Sequence, residues 1–243
     1  RAGARARRVD PGWGGGCGGW WVHALEYVAE PQAFVADVKR ALGTDGDVYF
    51  EVPNADYMLA NGRVWDVIYE HFGYFTKSSL MTLFKLSGFS IRETRARFGD
   101  QFLSVEASIP ACAAASDSEG RAGDVEIGAA RQFAVAFRRQ LDHWQHTLGK
   151  AKECGERVAV WGAGSKGVTF VNVAAGGETV DYLVDVNPRK QGKYVAGTGD
   201  VIVAPSALAG RTPDIVIVMN ENYRAEVGEM LGTMGIHPKI MVA

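Results

Sequence analysis

A glycine-rich loop near the middle of the chain most constrains how this sequence can fold. The loop follows an apolar run at residues 157–160, and Gly162, Gly164 and Gly167 stand at its first, third and sixth positions. Glycines at this spacing let the backbone turn tightly, and the helix that follows directs free N–H groups towards a phosphate. A second apolar run ends at Asp185, about 20 residues later, where a ribose-binding acid is expected. The pattern predicts a Rossmann-like unit.

Two lysines add positive charge to this predicted site. Lys166 lies within the loop, and Lys190 follows Asp185 at the carboxyl end of its strand. Ligands of open α/β sheets bind at that edge. Lys166 could equally be an exposed residue of the first helical turn. The residues expected to bind a substrate phosphate are Gly162, Gly164, Lys166, Gly167, Asp185 and Lys190.

Composition excludes several classes of function. The chain has 243 residues, 47% hydrophobic and 22% charged, and a net charge of -2, which argues against nucleic-acid binding through bulk electrostatics. No apolar run approaches the ~20 residues that span a bilayer. The three cysteines, Cys17, Cys112 and Cys154, are far apart, so neither a disulfide framework nor zinc is expected. These features make a reducing, cytoplasmic setting the default expectation.

The order of sequence patterns predicts an α/β protein in two parts. Residues 1–20 are rich in arginine and then glycine, and we interpret them as irregular and foreign to the native domain. An in-frame start just before Arg1 would contradict that interpretation. Residues 21–109 contain two helical patterns, a strand and a hairpin, and residues 110–126 have the composition of a linker. Residues 127–243 open with a long helix and then alternate strands with helices, which is typical of a parallel sheet.

A titratable cluster, Tyr69, Glu70 and His71, lies among aromatic residues. Histidine beside a carboxylate suits proton abstraction, because its pKa lies near neutrality and the partner orients its ring. The alternative is that Glu70 and His71 hydrogen-bond to loop backbone while the aromatic side chains fill a core. His23 and Glu26 form a second pair, which by itself is more typical of a structural contact.

His143 and His146 lie one turn apart on the long helix. Such a pair can bind a metal in principle. No third ligand is evident in the sequence, so a solvated helix face is the favoured interpretation and no metal site is predicted.

Several segments resemble the class I S-adenosylmethionine (SAM)-dependent methyltransferases, most of all the sugar C-methyltransferase group. In the first part these are residues 23–26 (HALE), 51–54 (EVPN), 69–75 (YEHFGYF) and 87–89 (SGF). In the second part they are residues 161–170, 184–192 and 218–220, which resemble that group's C-terminal domain. The resemblance covers roughly residues 21–243. It implies a partial Rossmann-like methyltransferase sheet followed by a second Rossmann-like domain with a parallel sheet.

The resemblance also implies a chemistry and a substrate class. A proton next to a ketone is removed, and the resulting carbanion takes a methyl group from SAM. His71 would be the general base, Glu70 would orient it or contact the substrate, and Tyr69 would lie beside them. Ile68 occupies the position where sugar-acting members often have a tyrosine. This difference argues against a nucleotide-sugar substrate. Tyr27 replaces a histidine that is usual in the family.

In this family the loop that binds SAM is expected before residue 21, where this sequence consists mainly of arginine and glycine. The later glycine loop is a poor substitute, because Val160 stands where the family has an acid. His23 and Glu26 are the weak candidates for contact with the cofactor. Two other functions stay open: an NAD(P)-dependent oxidoreductase built on the glycine loop, and a non-catalytic module that binds nucleotide sugars.

We therefore expect this chain to bind SAM weakly or not at all, because the sequence offers no cofactor loop. Isothermal titration calorimetry of the purified chain with SAM measures this directly. Saturable binding in the micromolar range would contradict the expectation.

Overall fold

The computed structural model describes residues 17–110, 124–175 and 180–243, and the side chains of Cys17, Asp124 and Val125 are not described. The chain forms two compact units. Unit 1 holds the residues up to Arg63 and Glu70–Phe133, and unit 2 holds Val64–Tyr69 and Ala134–Ala243. Each unit combines one sheet with helices, as the α/β prediction requires. Among the described residues, no helix has the length and apolarity needed to cross a bilayer.

Unit 1 is built on a mixed sheet of four strands in the order β1-β2-β4-β3. The strands are β1 Cys17–Val22, β2 Gly46–Pro53, β3 Ser90–Arg97 and β4 Phe102–Ser108. β1 and β2 are parallel, whereas β4 is antiparallel to both β2 and β3. The hairpin predicted from the sequence is therefore present. Because β1 and β2 are parallel, their carboxyl ends lie at the same edge of the sheet.

Three helices accompany this sheet: α1 Pro31–Leu42, α2 Ala55–Ala60 and α3 Lys77–Leu86. Alternate residues of β2 are buried, as expected for a strand with one face in the core. Phe50 lies at the centre, with its ring 5.1 Å from Phe84 of α3 and 6.4 Å from Phe34 of α1. The shared core includes Leu25, Val35, Val48, Phe50, Leu80, Phe84 and Val105.

Unit 2 has a parallel sheet of five strands in the order β7-β6-β5-β8-β9. The strands are β5 Val158–Trp161, β6 Tyr182–Val184, β7 Ile202–Val203, β8 Ile215–Val218 and β9 Lys239–Val242. The helices are α4 Asp124–Glu153, which begins in unit 1, α5 Ser165–Val173 and α6 Arg224–Thr233. The central strands β5 and β8 are buried throughout. This strand order is that of a Rossmann sheet, and the chain reverses its direction of growth between β5 and β8.

The structure corrects two predicted boundaries. Residues 17–20 were predicted to be irregular, but they belong to β1, because they pair in parallel with β2 from Cys17 opposite Gly46 onwards. Trp20 also stacks on Tyr49 with 4.7 Å between ring centroids. The long helix begins at Asp124 and so includes the end of the predicted linker. Residues 1–16 and the predicted linker residues 111–123 lie outside the described residues.

Thr76 makes the start of α3 a suitable place to test the fold. Its Oγ1 accepts a hydrogen bond from the Ser79 N–H at 3.0 Å, and its own N–H donates to Ser79 Oγ at 2.9 Å. The hydroxyl also donates to Glu126 Oε1 at 3.1 Å. We expect Thr76→Ala to lower the free energy of unfolding by about 1–2 kcal/mol, because a helix cap and its partner are lost.

Urea denaturation followed by circular dichroism measures this change. Ser78→Ala is the matched control, since Ser78 is an exposed residue of the same first turn and alanine favours a helix. Equal stability of the two variants would show that the cap contributes nothing.

Candidate active site

The first candidate site lies in unit 1, where β1 and β2 end. His23 directly follows β1, and its N–H donates to the Glu51 carbonyl of β2 at 3.0 Å. The backbone of His23 is left-handed, with φ of 51°. This conformation costs a residue with a Cβ about 1 kcal/mol. It turns the chain out of the strand and into the short 3₁₀ turn Leu25–Tyr27.

His23 and Glu26 form a buried pair. His23 Nδ1 lies 3.3 Å from Glu26 Oε1, and the Glu26 side chain is 1% exposed. An ionised carboxylate only accepts hydrogen bonds, so Nδ1 must be the donor. In the neutral imidazole the lone pair then resides on Nε2. Glu26 Oε2 is buried and has no hydrogen-bonding partner among the described residues.

A second carboxylate faces the other ring nitrogen. His23 Nε2 lies 3.9 Å from Glu51 Oε1, and Glu51 Oε2 accepts a hydrogen bond from the Tyr49 hydroxyl at 2.9 Å. The hydrogen bond with Glu26 raises the pKa of His23; burial opposes it, and the charges of Glu26 and Glu51 add to the increase. Burial and the hydrogen bond to Glu51 raise the pKa of Tyr49.

Glu26 also anchors the segment that carries His71. Its main-chain carbonyl accepts hydrogen bonds from the Phe72 N–H at 2.8 Å and the Gly73 N–H at 3.2 Å. The His71 ring packs edge-on against Tyr27, with 4.9 Å between centroids, and lies 5.7 Å from Tyr74. Two pairs that the sequence presents separately, His23–Glu26 and Glu70–His71, therefore lie in one region of unit 1.

The other two members of the predicted cluster are exposed. Glu70 is exposed. Burial raises the pKa of Tyr27, and the negative charges of Glu26 and Glu70 add to this increase. Tyr69 is 96% exposed and belongs to unit 2, whereas Glu70 and His71 belong to unit 1. The division between the units thus falls inside the predicted triplet.

Sequence reasoning assigned no role to Glu51, Tyr49 or Phe102. The Phe102 ring lies 4.8 Å from the His23 ring, and Phe102 pairs with Pro53 at the carboxyl end of β2. Glu51 and Tyr49 are two residues apart and so share one face of β2. The spacing of Glu51 and Tyr49 on one strand was the signal that the sequence offered.

The second candidate site is the glycine loop of unit 2, which follows β5 at the point where the sheet changes direction. Gly162 has φ of 112°, and Gly164 is the N-cap of α5. A Cβ at Gly167 would lie 1.9 Å from the Gly162 carbonyl oxygen, so that position requires glycine. Gly164 meets no such obstacle, because its nearest neighbour would be Lys190 Nζ at 3.9 Å.

Asp185 ties this loop to the end of β6. Its Oδ2 accepts hydrogen bonds from the Ala163 N–H and from Lys190 Nζ, both at 2.9 Å, and Oδ1 accepts from the Asn187 N–H at 2.8 Å. Burial by itself would raise the pKa of Asp185, but the bonds from Asn187, Lys190 and Ala163 outweigh it and lower that pKa. Both carboxylate oxygens are therefore engaged, which disfavours the ribose contact that an NAD(P) enzyme requires.

The lysines of this site each pair with a carboxylate. Lys190 contacts Asp185, and Lys166 forms an ion pair with Asp66 of unit 2. A phosphate would have to compete with both pairings. Within the described ranges, no group of three His, Cys, Asp or Glu side chains could hold a metal ion.

Comparison with known proteins gives the family. The model of the C-methyltransferase C-terminal domain matches residues 88–235, more than half of the chain, and a general methyltransferase-domain model matches residues 21–94. The chain belongs to the C-methyltransferase family. C-methyltransferase NovU from Streptomyces niveus is 28% identical over 205 residues, which cover 78% of this chain and 48% of NovU. The chain thus spans about half the length of the curated relative that it matches.

A solved structure adds little to this C-methyltransferase assignment. It is a SAM-dependent methyltransferase from Thermotoga maritima, described as a possible histamine N-methyltransferase. The alignment covers 38% of the present chain and 56% of the other at 14% identity, with a TM-score of 0.31. With so low a TM-score, this match supports no conclusion about the present chain. The α/β fold class follows from the sheet topology.

The two parallel strands of unit 1 end without a glycine loop. β1 is followed by His23 and Ala24, and β2 by Asn54 and Ala55, so neither leads into a glycine loop. In unit 2 the Ala163 N–H of the glycine loop is already bonded to Asp185. The ionisable side chains at the carboxyl ends of β1 and β2 are of the types that can move a proton.

Gly167 and Gly164 provide a matched test of the loop. We expect Gly167→Ala to lower the free energy of unfolding by about 3 kcal/mol, because the new methyl group collides with a backbone oxygen that cannot move aside easily. Gly164→Ala has room for the methyl group and loses only the preference of an N-cap for glycine over alanine, so its stability should fall by about 1 kcal/mol. Thermal and urea unfolding of the two variants measure the difference, and a stable Gly167→Ala variant would refute the geometry of this loop.

Proposed function

We propose that this chain is part of an enzyme that methylates a carbon next to a ketone in a small molecule, with SAM as the methyl donor. The family match supports methyl transfer. The observation that carries the proton chemistry is Glu26, whose carboxylate holds His23 and whose main-chain carbonyl holds the segment after His71. A cytoplasmic location and a nucleotide-sugar substrate belong to the same proposal.

In this proposal His71 is the general base. Its ring is half-buried between Tyr27 and Tyr74, which limits the orientations of the imidazole, and a fixed geometry is what proton transfer requires. Glu70 is exposed beside it and would contact the substrate or orient His71. Tyr69, the third member of the predicted triplet, would approach the substrate from its exposed position.

The glycine loop of unit 2 would bind a phosphate group. α5 begins at Ser165, so the N–H groups of its first turn follow Gly164 directly and favour an anion there. Gly162 and Gly167 give the loop its tight turn. Lys166 and Lys190 would exchange their carboxylate partners, Asp66 and Asp185, for phosphate oxygens.

The domain arrangement is also a proposal. Residues 21–109 would be the second half of a methyltransferase sheet, and residues 127–243 an accessory Rossmann-like domain. The strand order of unit 1, with the hairpin strands β3 and β4 at one side, supports this division.

We expect His71→Ala to lower turnover by about 10²–10⁴-fold, because a general base typically contributes that much. Methyl transfer from radiolabelled SAM to UDP- and TDP-linked ketosugars measures it, in the protein made from its complete gene. SAM affinity should stay within a few-fold of the wild type. His146→Gln, on the exposed face of α4, is the control. Equal losses of turnover and SAM affinity would indicate that His71 is structural.

A further inference from the structure

We propose that His23, held as an imidazolium by Glu26, donates a hydrogen bond from Nε2 to the substrate oxygen that becomes negative when His71 removes the neighbouring proton. This assignment rests on the proposed function and gives the two histidines different tasks. His71 takes the proton, and His23 stabilises the charge that remains on the substrate.

The buried carboxylate of Glu26 favours a positive charge on His23. Glu26 is 1% exposed, one of its oxygens contacts His23 Nδ1, and the other has no hydrogen-bonding partner among the described residues. An ionised carboxylate in such a position is costly unless a positive group neutralises it. His23 is the ionisable side chain in contact with it, so Glu26 favours the charged form of the imidazole.

His23 Nε2 is the ring nitrogen available to a substrate. With Nδ1 engaged, a protonated ring has one remaining donor, Nε2, which is 3.9 Å from Glu51 Oε1. That separation exceeds a hydrogen bond, and Glu51 is already an acceptor for the Tyr49 hydroxyl. The His23 side chain is 42% exposed, so a ligand can reach it. Donors that stabilise an oxyanion lie about 2.7–3.1 Å from the oxygen.

The backbone of His23 is strained. His23 adopts φ of 51° although it is not glycine. Strained residues of this kind persist only where the surroundings fix them, and they concentrate at functional sites. Here the Glu51 carbonyl fixes the His23 N–H, and Glu26 fixes the ring.

The chemistry balances without a further reactant. The substrate C–H bond breaks, its proton moves to His71, and its electron pair forms the enolate, whose oxygen carries the negative charge. A positive donor aimed at this oxygen lowers the barrier. The groups that face His23 are negatively charged or neutral, so they favour a positive charge on its ring. They are Glu26 from the 3₁₀ turn, Glu51 with Tyr49 from β2, and the uncharged ring of Phe102 from β4. Together they raise the pKa of His23.

An NMR titration of the purified chain tests the His23–Glu26 pair without substrate. Imidazole ¹⁵N–¹H spectra across pH resolve the five histidines, and His23→Gln identifies the His23 signal. We expect the pKa of His23 to lie above that of an ordinary histidine. At pH values above this pKa, the neutral ring should carry its proton on Nδ1. Glu26→Gln should lower this pKa, whereas His146→Gln should leave it unchanged. A proton on Nε2 in the neutral ring, or a pKa indifferent to Glu26→Gln, would overturn the proposal.

Exchange of the substrate α-proton in D₂O tests the role of His23 separately from methyl transfer. With UDP- and TDP-linked ketosugars as probes, we expect His23→Gln to slow exchange about 10²–10³-fold with little change in KM. The rate should fall as pH rises through the pKa of His23, because the donor is then lost. Glu26→Gln should move that fall to lower pH, and His146→Gln should behave as the wild type.

The outcomes separate this proposal from the proposed function. Exchange in His23→Gln at the wild-type rate, or a loss confined to KM, would refute the role of His23 while leaving the C-methyltransferase function intact. No exchange in the wild type would count against the proposed function with these ketosugars. In that case the NMR titration still decides whether Glu26 holds His23 as an imidazolium.

Discussion

Glu26 connects the two parts of the candidate active site. Its side chain lies in the core of unit 1 and contacts the ring of His23, while its carbonyl accepts two N–H groups from the residues after His71. A carboxylate is rarely buried so completely without a charged partner. Glu26 thus joins the ring of His23 to the segment that follows His71.

The two units use the same edge of an α/β sheet in different ways. In unit 1 the carboxyl ends of β1 and β2 carry an ionisable network that is incompletely satisfied, since Glu26 Oε2 lacks a partner among the described residues and His23 Nε2 is beyond hydrogen-bonding distance of Glu51. In unit 2 the corresponding carboxylate, Asp185, accepts hydrogen bonds from three internal donors. The first arrangement is suited to proton transfer, and the second holds the glycine loop to the end of β6.

Much of the fold could be predicted because its signals are local. The hairpin, the helix capped by Thr76 and the alternation of strands and helices in unit 2 follow from apolar periodicity and turn residues, and the structure confirms them. Residues 17–20 were wrongly predicted to be irregular, because a glycine-rich composition suggests a loop. Their strand depends on pairing with β2, which is more than twenty positions away in the sequence.

The sequence by itself determined the family, the α/β class and the residue types available for proton transfer. These follow from short motifs and from the period of apolar residues, both of which are read within a few neighbouring positions. Only the tertiary structure decided which of those residues work together. It left Tyr69 and Glu70 exposed beside the half-buried His71, brought His23 together with Glu26 and Glu51, and joined Asp185 to the glycine loop by a hydrogen bond. The reason is physical: burial and hydrogen bonding set the charge and orientation of an ionisable group, and both depend on residues distant in the sequence.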